Sequence, residues 1–168
     1  MFIRLTRKLA LLFAAMALTI LAGPAPAATT TTTFTVQVTI VASCVIGSAS
    51  TLNFGGSQGV ITTNVDQTST VQVQCTDTTP YNIGFNAGTG SGATVAVRKM
   101  TNAGNTINYS LYSDAGRTTV WGNTVGTDTV AATGNGASQS YTVYGRVPAQ
   151  TTPAPATYSD TITVTVTY

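Results

Sequence analysis

Two runs of strict alternation stand near the ends of the chain. Phe34, Val36, Val38 and Ile40 alternate with Thr35, Gln37 and Thr39. Ile162, Val164, Val166 and Tyr168 alternate with Thr161, Thr163, Thr165 and Thr167. A period of two is that of a strand with one buried face. The second run has no later strand to pair with, and the first precedes the first cysteine with no evident home in its own domain. The pattern predicts two unpaired strands, and hence copies of the chain that complete one another.

Between these runs, short strand patterns recur among turn residues. Leu52 and Phe54 precede Gly55-Gly56, and Val71, Val73 and Cys75 alternate with Gln72 and Gln74. Tyr81, Ile83 and Phe85 form the next pattern, Val95 and Val97 lead into Arg98, and Ile107, Tyr109 and Leu111 follow. Tyr141 and Val143 precede Tyr144-Gly145-Arg146. Gly88 to Gly92 and Thr133 to Ser140 read as long loops between strands. No helical period emerges after the leader. Short strands punctuated by Gly, Asn and Pro predict an all-β sandwich. Threonine fills 33 of the 141 positions after residue 27, and it supplies uncharged outer strand faces.

The leader is set aside from the fold. Arg4, Arg7 and Lys8 precede the apolar run Leu9 to Leu21, and Ala25-Pro26-Ala27 supplies small residues for cleavage. That order is a secretory signal peptide, residues 1–27; the apolar run falls short of the ~20 residues of a membrane span. The expected organisation is a signal peptide at 1–27, an extension and linker at 28–43, and a domain at 44–168. Removing the leader changes the charge picture. Arg98, Lys99, Arg117 and Arg146 then face Asp66, Asp77, Asp114, Asp128 and Asp160, a net charge of 4 − 5 = −1. No basic patch remains to bind nucleic acid. Cys44 and Cys75 are the only cysteines, and an even count after a signal peptide reads as one disulfide.

The chain has no His and no Glu. Acid–base catalysis would rest on scattered Asp, Tyr or one Lys, so no catalytic site, no cofactor and no metal site is expected, and the chain reads as a non-enzyme. Asp77-Thr78-Thr79-Pro80 and Ser113-Asp114-Ala115-Gly116 are turn sequences. Gly88-Thr-Gly-Ser-Gly92 lacks the Lys and following helix of a phosphate loop. Asn108-Tyr109-Ser110 fits a glycosylation sequon but lies inside a strand pattern. Trp121, the sole tryptophan, reads as packing rather than as a sugar platform.

Several segments together resemble the spore coat protein U domain family. They are Leu52-Asn-Phe-Gly55, Val73-Gln-Cys75, Ile107 to Gly122 (INYSLYSDAGRTTVWG), Tyr144-Gly-Arg-Val-Pro148 and Tyr158 to Tyr168 (YSDTITVTVTY). The family includes major subunits of archaic chaperone–usher pili of Gram-negative bacteria. The resemblance implies an incomplete immunoglobulin-like sandwich lacking its last strand, with an N-terminal donor-strand extension. It implies a surface pilus subunit that supports adhesion and biofilm formation and reaches the cell surface through the periplasm. The implied partners are identical or related pilus subunits, a periplasmic chaperone and an outer-membrane usher. Phe34, Val36, Val38 and Ile40 would be the donor residues. Ile162, Val164, Val166 and Tyr168 would flank the acceptor groove, with Cys44–Cys75 holding the domain. Both terminal runs lack the charge and proline that blunt an ordinary sheet edge. Left free, they would invite aggregation. The link Val41-Ala42-Ser43 is short and predicts a stiff junction. The competing reading is a secreted monomeric β-sandwich that coats a surface or binds carbohydrate; it predicts an N-terminal strand paired within its own chain and an exposed Trp121.

Overall fold

The computed structural model describes residues 23–168 apart from residue 57. The leader as far as residue 22 lies outside the described residues. The chain divides into two units, 1–38 and Thr39–Tyr168. In the first, residues 23–38 carry no helix or strand, and Phe34, Val36 and Val38 are exposed.

The second unit holds eight strands and, among the described residues, no helix. They are β1 (Cys44–Ala49), β2 (Val65–Cys75), β3 (Pro80–Phe85), β4 (Arg98–Asn102), β5 (Asn105–Tyr112), β6 (Val130–Thr133), β7 (Ser138–Val147) and β8 (Val164–Thr167). Two antiparallel sheets result, one ordered β1-β2-β7-β5-β4 and the other β6-β3-β8. Register puts Val71 opposite Tyr141, Ser69 opposite Val143 and Leu111 opposite Gly145. Directly opposed residues share a face, so the odd-numbered positions of β2, β5 and β7 line the inside of the large sheet. Val73, Cys75, Tyr109, Leu111 and Val143 meet Tyr81, Ile83 and Phe85 of the small sheet in the core.

Several sequence expectations change here. The final run is not unpaired: Val164–Thr167 pairs antiparallel with Phe85–Asn82 of β3. Only one of its edges can be open. The N-terminal run forms no strand within the described residues. Leu52 and Phe54 form no strand either, yet both pack against the core. The stretch read as a loop from Thr133 contains the end of β6 and the start of β7. Val130–Thr133 has too few large apolar residues to show a period. Its pairing with Pro80–Ile83 is a tertiary decision.

Cys44 and Cys75 face each other across β1 and β2 and form the expected disulfide, with an S–S distance of 2.01 Å. Asp77 and Asp114 hold turns as expected. Asp77 accepts from the Thr78 N–H at 2.9 Å, and Asp114 from the Thr119 N–H at 2.7 Å. The bond from the Thr119 N–H, and after it those from Thr118, hold the Asp114 carboxyl below the ordinary range. Asp66 holds no turn. It sits in β2 and accepts a bidentate bond from Arg146 of β7, 2.8 Å to each oxygen.

Candidate functional site: the groove beside the last strand

A groove of about 1110 Å³ opens within the second unit along β8. Its floor is the inner face of the large sheet, including Val71, Tyr109, Leu111, Val143 and Val147. Ile162 and Val164 form one lip. The small sheet has three strands against five, so it leaves part of this floor uncovered. Leu52 and Phe54 cover some of it, and Gly145 makes room for them. A Cβ at Gly145 would stand 2.7 Å from Leu52 Cδ1 and 2.9 Å from Phe54 Cζ. Glycine inside a strand commonly marks such a close approach.

The edge of β8 is as specific as the groove. The Asn86 N–H donates to the Thr163 carbonyl at 3.2 Å. Thr163, Thr165 and Thr167 are therefore in the phase that bonds to β3, opposite Asn86, Gly84 and Asn82. In an antiparallel ladder the alternate residues turn their N–H and C=O the other way. Val164 and Val166 thus point their backbone groups toward the open side while their side chains pack on the core.

One charged side chain, Asp160, lines the groove. It is already engaged. The Tyr109 hydroxyl donates to its Oδ2 at 2.8 Å, and the Thr89 N–H and hydroxyl donate to Oδ1 at 2.7 and 2.8 Å. Burial, with the hydrogen bond to Asp160 second, pushes the Tyr109 phenol well above its usual range. Asp160 therefore fixes the crossover from Ser159, bridged to Thr101 of β4, into the lip at Ile162. The groove itself offers apolar contact and free backbone groups. Among the described residues, no cluster of three or more His, Cys, Asp or Glu could hold a metal.

The four residues expected at the groove edge divide. Ile162 and Val164 line it, Val166 packs on the core below it, and Tyr168 is 61% exposed. The four expected donor residues are exposed on their own chain: Phe34 86%, Val36 83%, Val38 80% and Ile40 75%. Nothing within the described chain buries this apolar face. Sequence reasoning did not assign Gly145, Phe54 and Leu52 to the groove, nor the Tyr109–Asp160 bond. The glycine inside the β7 pattern was the available signal. Trp121 is buried, so it offers no sugar platform.

The Spore Coat Protein U domain model matches residues 30–165. The chain is 36% identical over 159 residues to Protein U of Myxococcus xanthus, with 86% of this chain and 88% of that protein covered. It also matches a chain in the crystal structure of the CsuC-CsuE chaperone–tip adhesion subunit pre-assembly complex from archaic chaperone–usher Csu pili of Acinetobacter baumannii. The TM-score is 0.56 at 25% identity, with 77% of this chain covered. The match spans 40% of that solved chain's length.

Proposed function

The chain belongs to the Spore Coat Protein U domain family, and from that membership we propose that it is a structural subunit of a surface pilus that polymerises by donor-strand complementation. One observation carries this reading: an apolar groove beside a free strand edge coexists with an exposed, charge-free alternating run of matching length on the same chain. Strand addition of this kind is a known mode between chaperones and pilins. Phe34, Val36, Val38 and Ile40 of one copy enter the groove of the next and pair with β8. Antiparallel pairing keeps side chains in register by face only if even positions meet even positions. Of the registers that satisfy this, the one that uses the whole donor run sets Ile40 opposite Ile162, Val38 opposite Val164, Val36 opposite Val166 and Phe34 opposite Tyr168.

Burying four such side chains contributes roughly 6–12 kcal/mol gross at about 1.5–3 kcal/mol each. Ladder hydrogen bonds add about 1 kcal/mol apiece, against the ordering of some ten flexible residues. Head-to-tail insertion does not close, so it builds an open filament. The same groove, before assembly, needs a periplasmic chaperone to cover it and an usher to exchange the cover for a donor. The disulfide suits an oxidising, extracytoplasmic route. Adhesion and biofilm formation follow from a filament displayed at the cell surface.

The test is size-exclusion chromatography of the exported protein with and without residues 28–43. The intact chain is expected to run as polymers and the truncated one as monomers. An unchanged monomer peak for both would favour a monomeric coat protein and end the pilus reading.

A further inference from the structure

The extension leaves its domain at a defined pole. Ser43 is tied to Thr76 by two hydrogen bonds, its N–H to Thr76 Oγ1 at 3.1 Å and the Thr76 N–H to its carbonyl at 2.9 Å. Gly134 locks onto the same turn, donating to Thr79 O and accepting from the Thr78 N–H. β8 ends at this pole too, because Thr167 lies opposite Asn82, close to Pro80 at the start of β3. The mouth of the groove, at Ile162, is at the opposite pole, where β2 begins.

The link between donor and domain is therefore very short. Ile40 to Ser43 is three residue steps, at most about 11 Å when fully extended. Insertion parallel to β8 would place Ile40 at the acceptor's own exit pole, where the acceptor's extension must leave. Insertion antiparallel to β8 places Ile40 at the mouth instead. The donor's exit pole must then lie within about 11 Å of the acceptor's mouth. Bodies that close touch.

Two large exposed apolar residues flank that junction. Val41 follows the donor residues and is 70% exposed, and Val60 stands at the mouth and is 77% exposed. Val60 is held on a firm ridge. The Ile61 N–H donates to Thr152 Oγ1 at 2.8 Å, and the Gln150 N–H to the Ile61 carbonyl at 3.1 Å. The ridge continues through Pro153 to Ala156, also at the mouth.

We propose that the exit pole of one copy seats directly on the groove mouth of the next, with Val41 packed against Val60 and the Pro153–Ala156 turn. The contact rests on the donor-strand reading above and adds a second interface between the same two copies. It turns a tethered joint into a seated one and sets the angle between successive subunits.

The test is cysteine cross-linking in assembled fibres. The native cysteines are already paired, leaving no free thiol. Fibres of Val41→Cys with Val60→Cys, oxidised and then boiled without reductant, are expected to run as a ladder and to collapse to monomer on reduction. A disulfide needs Cα atoms within about 7 Å, so the ladder reports a true contact. A control pair, Val41→Cys with Val125→Cys, is expected to give no ladder, because Val125 does not line the mouth. Fibres that form but run as monomers after boiling, or an equal ladder from the control, would overturn the contact and leave the donor-strand reading standing. Wild-type protein that makes no fibres would overturn both. Should the paired cysteines block assembly, Val60→Asp decides: its fibres are expected to dissociate in denaturant at least about tenfold faster, and an unchanged rate would reject the contact.

Discussion

The two flanks of this sandwich face the same problem and resolve it differently. On the flank at Trp121 the chain seals itself. The Trp121 N–H donates to Leu111 O of the large sheet at 2.9 Å, and the Phe85 N–H of the small sheet donates to Gly122 O at 2.8 Å. The indole N–H reaches Ile83 O at 2.8 Å. Arg98, wholly buried, donates to the carbonyls of Asn86, Val95, Phe85 and Trp121 at 2.7–3.0 Å. Burial pulls its pKa below the ordinary value, yet four carbonyl dipoles hold the guanidinium in place of a carboxylate. On the flank beside β8 no segment of the described domain plays that part. The lesson is that apolar content does not distinguish a core from a binding groove. The fate of the neighbouring backbone N–H and C=O groups does.

The largest expected effect comes from charging the proposed cover of the open flank. Val38→Asp would bring a carboxylate into an apolar groove at a cost of several kcal/mol. Fibre yield is expected to fall at least about 100-fold, with the monomer's unfolding midpoint unchanged because Val38 is exposed on its own chain. Long fibres from purified Val38→Asp would show that these are not the donor residues.

Breaking the sealed flank should act on the monomer instead. Arg98→Met removes the donor to four buried carbonyls and is expected to cost at least about 3 kcal/mol in denaturant unfolding. A loss below about 1 kcal/mol would mean that the seal does not depend on Arg98. Gly145→Ala tests the cover inside the groove. The new methyl displaces Leu52 and Phe54, with an expected loss of about 1–3 kcal/mol. Polymerisation should weaken in parallel; a stable variant that assembles normally would remove these side chains from the groove's architecture.

The smallest effect belongs to the outer face. Asp66 is held below its ordinary value of 3.8, first by the hydrogen bond from Arg146 and also by the charge of Arg117, at 3.4 Å. A depressed carboxyl contributes stability above its unfolded pKa. That contribution is lost as the pH falls below about 4 and through the folded value. The site is largely exposed and solvent-screened, so Asp66→Asn is expected to cost under about 1 kcal/mol at neutral pH and less than that at pH 2. Unfolding midpoints at the two pH values check the sign.

Much of the fold was legible in the sequence because it rests on local chemistry. The periods in Val71–Cys75, Tyr81–Phe85 and Ile107–Leu111 became β2, β3 and β5, since each had one apolar face to bury. The cysteine count and the leader foretold the disulfide. The stretches rich in Asn, Asp and Gly became turns because Asn and Asp side chains accept from the nearby backbone, as Asp77, Asn86, Asp114 and Asn135 do, and glycine takes up the positive φ, as at Gly88 and Gly136. Val130–Thr133 was illegible, because its strand state comes from pairing with β3. Leu52 and Phe54 misled for the opposite reason: their alternation serves two contacts over Gly145 and not a ladder.

The residues in order specify a sparsely charged, all-β chain with one disulfide, without His or Glu, and with apolar alternation near both ends. Those properties follow from side-chain type and spacing alone. Folding in three dimensions is what pairs the final run with β3 on one edge and turns the backbone groups of Val164 and Val166 to the other. It also decided that a five-stranded sheet outreaches a three-stranded one to leave an apolar floor bare. Which edge stays open depends on the partners that distant segments supply, and no local pattern carries that information.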